Sequence, residues 1–396
     1  MVRSLVTALL MGATASALPF SEIYQRQNTS DCALSDNYAA INVEKLPDPF
    51  TFHDGRKVTT KEQFACRQAE MSKILQQYEL GDYPPPPDSI RASMSGNSLS
   101  VQVTVAGKSV TINAQVRKPG SSPGPAVIGI GGASVPFPSQ VGSITFPNDQ
   151  FAAQNGQGSR GQGAFYQLFG NTHSAGALTA WAWGVDRVID GLEQLGAATT
   201  GIDTTKLAVT GCSRNGKGAM VTGALVDRIA LTVPQESGSG GAACWRISDS
   251  EKAKGKNIQT ASQIVGENVW FSPRFNQHTS KTYTIPADHH MLAALVAPRG
   301  LLPLENDIDW LGPVSTTGCM QASLLVYKGL GVPTNMGYSL VGGHGHCQFP
   351  SSQQSALTAY INYFLLGQSQ APPSVNQGPN VPQDDWVEWK DVPILS

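Results

Sequence analysis

Three groups of residues have types and spacings that could do covalent chemistry. They are a serine in a glycine turn at 211–216, two histidines in a glycine-rich run at 342–347, and carboxylates at 236, 305 and 307. A nucleophile, a base and an acid that orients the base are what acyl transfer needs. Leu207 to Thr210 is a short apolar run suited to a buried parallel strand. Gly211 to Gly216 reads as a tight turn, and Lys217 to Val226 has the small and apolar residues of a packed helix. Strand, turn and helix in that order lift Ser213 above a sheet and put free helix N–H groups beside it. The usual pattern is G-x-S-x-G, whereas this chain reads Gly211-Cys212-Ser213-Arg214-Asn215 with the second glycine displaced to Gly216. An incidental serine in a strand–helix turn would look the same locally, so the rest of the chain decides.

Of the seven histidines, only His344 and His346 follow the last expected strand, where a base could reach Ser213. His346 is the preferred base because Cys347 beside it could anchor the loop, which leaves His344 a structural role. A metal site at His344-Gly345-His346 lacks further ligands at suitable spacing, so none is expected. The acid has two possible sources. Glu305 and Asp307 follow the Leu301 strand, the usual location, and Glu236 follows the strand after the elbow helix; residue types alone leave this open. Either choice gives the chain order serine, acid, histidine on alternating strands and helices. The expected fold is therefore α/β: an α/β-hydrolase-type three-layer sandwich with a mostly parallel central sheet and helices on both faces.

The elements that must hold these residues can be read in chain order. Residues 18–58 read as an irregular strap. Thr59-Thr60-Lys61-Glu62 reads as a capping box opening a helix to about Leu80, which Gly81 ends. Leu99–Val105 and the period-two run through Val116 predict an antiparallel hairpin, and Ala126–Ile130 a central strand. Gly131-Gly132-Ala133 after that strand could supply an oxyanion donor. Residues 134–172 read as a long surface loop and Ala177–Leu195 as a helix in which Trp181 and Trp183 pack. After the elbow come a strand at Ile229–Val233 and an irregular insertion at 239–286 holding Trp245 and Trp270. A helix at Asp288–Ala297, a strand at Leu301–Leu304 and a helix at Gln321–Leu330 follow. Thr334–Val341 is the last strand, Ser355–Leu366 the last helix, and 368–396 a tail.

The chain has 396 residues, a formal charge of −2 and only 14% charged residues. Nothing in that balance suggests nucleic acid or an anionic membrane as partner. Arg3, the apolar run Leu5–Met11 and Ala15-Ser16-Ala17 have the form of a secretory signal peptide over residues 1–17, too short to span a bilayer. Asn28-Thr29-Ser30 is a glycosylation sequon. Six cysteines in a secreted chain imply three disulfides. Chemistry suggests one, Cys212 with Cys347, because it would tie the nucleophile turn to the base loop. There are no internal repeats. Residues 18–396 are expected to form one catalytic domain without a carbohydrate-binding module.

Gly-Cys-Ser-Arg-Asn-Gly-Lys-Gly at the elbow, Val-Pro-Gln-Glu-Ser-Gly-Ser-Gly-Gly, Cys-Trp-Arg and Gly-Gly-His-Gly-His-Cys together resemble the fungal glucuronoyl esterases. The resemblance covers nearly the whole mature chain. It implies a secreted serine esterase acting on esters of 4-O-methyl-D-glucuronic acid in glucuronoxylan, at lignin–carbohydrate ester bonds, as a monomer and without a cofactor. It implies Glu236 as the acid, Arg214 at the oxyanion, and Lys217, Gln259, Glu267 and Trp310 as holders of the glucuronate ring. It also implies the bridges Cys212–Cys347, Cys32–Cys66 and Cys244–Cys319. Two alternatives are an acetyl-xylan or feruloyl esterase on the same fold, and a non-catalytic binding protein of hydrolase shape; the intact Ser213, His346 and Glu236 speak against the latter.

Overall fold

A computed structural model describes residues 32–392 and 394–396, so the signal peptide and the Asn28 sequon lie outside the described residues. Among them an eleven-stranded sheet runs in the order β1 (Ser89–Ser95), β2 (Ser98–Val105), β3 (Lys108–Arg117), β5 (Gly142–Phe146), β4 (Gly124–Ile130), β6 (Ile202–Cys212), β7 (Ile229–Gln235), β9 (Leu304–Glu305), β10 (Tyr338–Leu340) and β11 (Asn376–Gln377). The two-residue β8 (Gly300–Leu301) pairs with β7 beside that path. Pairing is antiparallel from β1 to β5 and parallel from β5 to β11. This is an α/β-hydrolase-type fold.

Period-two alternation sends successive side chains to two separate cores. Ile128, Ile130, Leu207 and Val209 pack on one face with the helix Ala177–Leu195. Val127, Ala208, Leu231 and Val233 pack on the other with the helix Gln354–Phe364. Trp181 and Trp183 are fully buried, and their indole N–H groups donate to the carbonyls of Ala152 (2.9 Å) and Pro85 (3.1 Å), so both pack as expected.

Several expected elements shift. The first helix, Lys61–Leu75, is capped by Thr60, whose hydroxyl accepts from Gln63 N–H, and Gln63 reaches back to Thr59 N–H; the box lies one residue later than Thr59–Glu62. Its continuation to Leu80 widens into a π-turn before Gly81 takes φ +77°. The expected hairpin gains a third antiparallel strand, because Ser89–Ser95 pairs with β2; its alternation is too polar to stand out in sequence. The supposed surface loop at 134–172 contributes β5, which sits between β3 and β4. The insertion at 239–286 contains the helices Trp245–Ala253 and Ala261–Glu267, and Trp245 and Trp270 are buried. Pro303, which cannot donate to a ladder, lies between β8 and β9 where one strand was expected. The helix expected from Gln321 begins earlier, at Pro313. The last long strand narrows to Tyr338–Leu340 behind a 3₁₀ turn at Pro333–Asn335.

The elbow lies at the C-terminal end of β6, between two central neighbours. A Cβ on Gly211 would lie 2.5 Å from the Asn215 carbonyl oxygen, and one on Gly216 2.4 Å from that of Gln235. Backbone cannot yield there as a side-chain tip would. This explains why glycine stands at 216, where the helix crosses the end of β7. Gly216→Ala should therefore lower stability by about 1–3 kcal/mol, read as a fall in the thermal or denaturant midpoint. A midpoint equal to wild type would mean that the helix can shift away from the end of β7 at no cost.

Candidate active site

Ser213 follows β6 directly, with φ +59°, and begins the helix Arg214–Leu225. Its N–H donates to the Gln235 carbonyl at 2.9 Å, which fixes the turn against the end of β7. At the same end of β7, Glu236 takes φ +45°, and its N–H donates to Leu304 O at 2.8 Å. Cys347, in the loop after β10, takes φ +64°. Four non-glycine residues among those described have positive φ, and these are three of them. Each such residue costs about 1–3 kcal/mol and persists only where its surroundings fix it. Strain is thus concentrated at the three corners where a nucleophile, an acid and a base loop were expected.

Glu236 is 1% exposed. Its Oε2 accepts from His346 Nδ1–H at 2.6 Å and from Cys347 N–H at 2.9 Å. With Nδ1 donating, Nε2 of His346 is left with the lone pair that a general base uses. The His346 side chain keeps 30% of its exposure and so faces the surface on that side. His344 is differently employed. Its Nε2 donates to Val341 O at 2.9 Å, Asn306 Nδ2 lies 3.2 Å from its Nδ1, and its approach to Glu236 Oε1 is 3.7 Å. It is held as a strut within the loop.

Ser213 Oγ makes no hydrogen bond among the described residues, His346 included; such pairs are often loose before substrate is bound. The two residues are joined covalently one position along, because Cys212 and Cys347 form a disulfide with Cα atoms 5.8 Å apart. The other bridges are Cys32–Cys66 and Cys244–Cys319. Ligand atoms of Cys212, Glu236, His346 and Cys347 lie within 4.8 Å of one another, but both sulfurs are committed to the disulfide and offer no thiolate.

Three of the residues expected around the sugar form one chain of contacts leading away from His346. The Trp310 ring meets His346 edge-on, with centroids 4.8 Å apart. Trp310 O accepts from Gln259 N–H at 3.2 Å, and Gln259 Nε2 donates to Glu267 Oε2 at 3.1 Å. Lys217, 3% exposed, lies over the Trp270 ring at 5.8 Å and donates from Nζ to Ser237 O at 2.6 Å. Burial pushes the Lys217 ammonium down to about 8, against the pull of Glu305 and Glu267. Arg214 is exposed, and its side chain has no hydrogen-bond partner among the described residues. Its backbone N–H is one of the free donors of the helix start.

Glu305 and Asp307 do not reach His346. Glu305 is buried and turned toward Ser237 and Gly238. Burial pushes its carboxyl up to about 7, while those donors pull the other way. Asp307 packs against Gly342, where a Cβ would lie within 1.8 Å of its carboxylate. Sequence reading also overlooked a polar cluster beneath the elbow. Asn215 Oδ1 accepts from Asn148 (3.2 Å) and Gln154 (3.4 Å), while Gln154 Oε1 accepts from Trp270 Nε1 at 2.8 Å. Asn215 within the elbow itself was the available signal, but its partners lie in the stretch taken for a loop. Gly131 closes on this cluster, since a Cβ there would lie 2.8 Å from Asn215 Nδ2.

Comparison with known proteins places the chain in a family. Residues 101–331 match the family model for the fungal glucuronyl esterases. The chain is 64% identical over 388 residues to the 4-O-methyl-glucuronoyl methylesterase of Thermothelomyces thermophilus, covering 97% of each. It is similar to the crystal structure of recombinant glucuronoyl esterase from Sporotrichum thermophile, with 65% identity and a TM-score of 0.91 over 92% of this chain and 100% of that one. A serine-to-alanine mutant of the Sporotrichum thermophile enzyme, in complex with methyl 4-O-methyl-β-D-glucopyranuronate, matches with the same identity and TM-score over 93% of this chain and 100% of that one.

Lys217 yields a pH prediction. Between pH 8 and 10.5 the folded chain has released the Lys217 proton while the unfolded chain still binds it. Folding is therefore favoured as pH rises through that window. Wild type should gain on Lys217→Met there by up to about 1.4 kcal/mol per pH unit. Denaturant midpoints of both proteins at pH 7 and pH 9.5 would measure this. A constant difference between them would show that burial does not lower the affinity of this amine for its proton.

Proposed function

Given that the chain belongs to the fungal glucuronoyl esterases, a family of carboxylic ester hydrolases, we propose that it cleaves esters of 4-O-methyl-D-glucuronic acid through a covalent intermediate on Ser213. The natural substrate in this reading is the ester between glucuronoxylan and lignin alcohols. The protein would act as an exported, single-domain monomer. The observation that carries the mechanism is the buried Glu236 carboxylate 2.6 Å from His346 Nδ1, in a loop bridged by Cys347 to the residue before Ser213.

His346 Nε2 takes the proton of Ser213 as Oγ attacks the uronate carbonyl, and Glu236 stabilises the imidazolium so formed. The tetrahedral oxyanion forms beside the start of the helix, where the Arg214 N–H and the nearby guanidinium oppose its charge. Return of the proton to the leaving oxygen releases the alcohol. Water then enters, deprotonated by His346, and frees the acid and Ser213. Lys217, Gln259, Glu267 and Trp310 hold the sugar, with ammonium, amide and carboxylate meeting hydroxyls and the indole covering an apolar face.

Hydrolysis of methyl or benzyl D-glucuronate should be clear in wild type and fall by at least about 10³-fold in Ser213→Ala. p-Nitrophenyl acetate should be a poor substrate. Acetate cleavage without uronate cleavage would leave a serine esterase and remove the glucuronoyl assignment in favour of an acetyl or cinnamoyl ester. Undiminished activity in Ser213→Ala would remove the nucleophile.

A further inference from the structure

Glu305 sits where the orienting acid was first sought, yet its carboxylate reaches neither His346 nor Ser213. It is 1% exposed and carries three donors. Ser237 N–H (2.9 Å) and Ser237 Oγ (2.7 Å) bond to Oε1, and Gly238 N–H (3.3 Å) to Oε2. Those are the two residues directly after Glu236. The other end of the Ser237 residue is held as well, because its carbonyl accepts from Lys217 Nζ at 2.6 Å. A buried carboxylate and a buried ammonium thus hold this stretch from opposite sides.

The turn needs holding. Glu236 at φ +45° is followed by Gly238 at φ +50°, and a side-chain-bearing residue leaves that region readily unless its neighbours forbid it. Only an acceptor can satisfy two backbone N–H groups and a hydroxyl together, and a carboxylate has two acceptor oxygens. An amide of the same shape has one, and its NH₂ would face an N–H. The backbone of the same residue serves the other loop. Glu305 O accepts from Val341 N–H at 3.0 Å, and Val341 O in turn accepts from His344 within the base loop.

We propose that Glu305 is a positioning residue: its carboxylate fixes the Ser237–Gly238 turn so that Glu236 stays aimed at His346. The inference rests on the Ser213–His346–Glu236 reading and adds to it the group that makes the acid's strained geometry the stable one.

The test is a double-mutant cycle on benzyl D-glucuronate, with rates taken per active site titrated by a fluorophosphonate. Glu305→Gln should lower kcat by about 10- to 100-fold, as a displaced catalytic group does, and leave KM within about twofold. In a Glu236→Gln background the same change should cost less than about twofold, because the group it positions is already disabled. Ser237→Ala removes one of the three donors. It should show a smaller fall in kcat that also vanishes in that background, and it carries the cycle if Glu305→Gln does not fold. A Glu305→Gln enzyme with wild-type kcat would overturn the proposal. So would a fall that multiplies with that of Glu236→Gln, which would mean that Glu305 acts by its own route. Wild-type activity in Glu236→Gln alone would instead sink the triad reading on which the proposal stands.

Discussion

A carboxyl group almost sealed from water has to point at one ring nitrogen, from a backbone conformation that glutamate does not favour. Much of the surrounding chain answers that demand. The N–H groups of the three strained residues are all committed: Ser213 to Gln235 O, Glu236 to Leu304 O, and Cys347 to the Glu236 carboxylate itself. The first two bonds tie the corners to the end of the parallel sheet, and the third closes the base loop on the acid. Strain at such corners is tolerable because these surrounding bonds over-determine the backbone there. The same bonds link the three corners to one another.

The groups proposed to hold the sugar are arranged on a second principle, contact in series. From the edge of His346 through Trp310, Gln259 and Glu267, each group touches the next. Lys217 is outside that series, buried and lying over the Trp270 ring. A sugar seated there would meet groups already held by one another, with little freedom left to lose on binding. The buried ammonium is costly to desolvate, and its bond to Ser237 O returns part of that cost.

Much of this was legible in the sequence because it is local. The elbow announces itself through an apolar run, closely spaced glycines and a serine, and the hairpin through strict alternation about Ala106-Gly107. The base loop could be found because only two histidines follow the last strand. The acid could not be derived, because Glu236 follows β7 and Glu305 ends β9, two strands that neighbour each other in the sheet. Glu236 takes φ +45° there, a backbone turn that no side-chain pattern encodes. β5 was missed for a related reason: it is short, Gly142 opens it, and its place between β3 and β4 is settled by long-range pairing. The polar cluster around Asn215 and Gln154 was hidden by the same distance in sequence.

The bridge between Cys212 and Cys347 spans 135 positions of sequence while joining two points that almost touch. Every residue between them lies inside a covalent ring. A protease that nicked any exposed loop in that stretch would open the ring without parting its ends, and the serine and histidine turns would stay on one molecule. That is tolerance of a single cut through more than a third of the chain. Its cost falls on manufacture, since the ring can close only where thiols are oxidised.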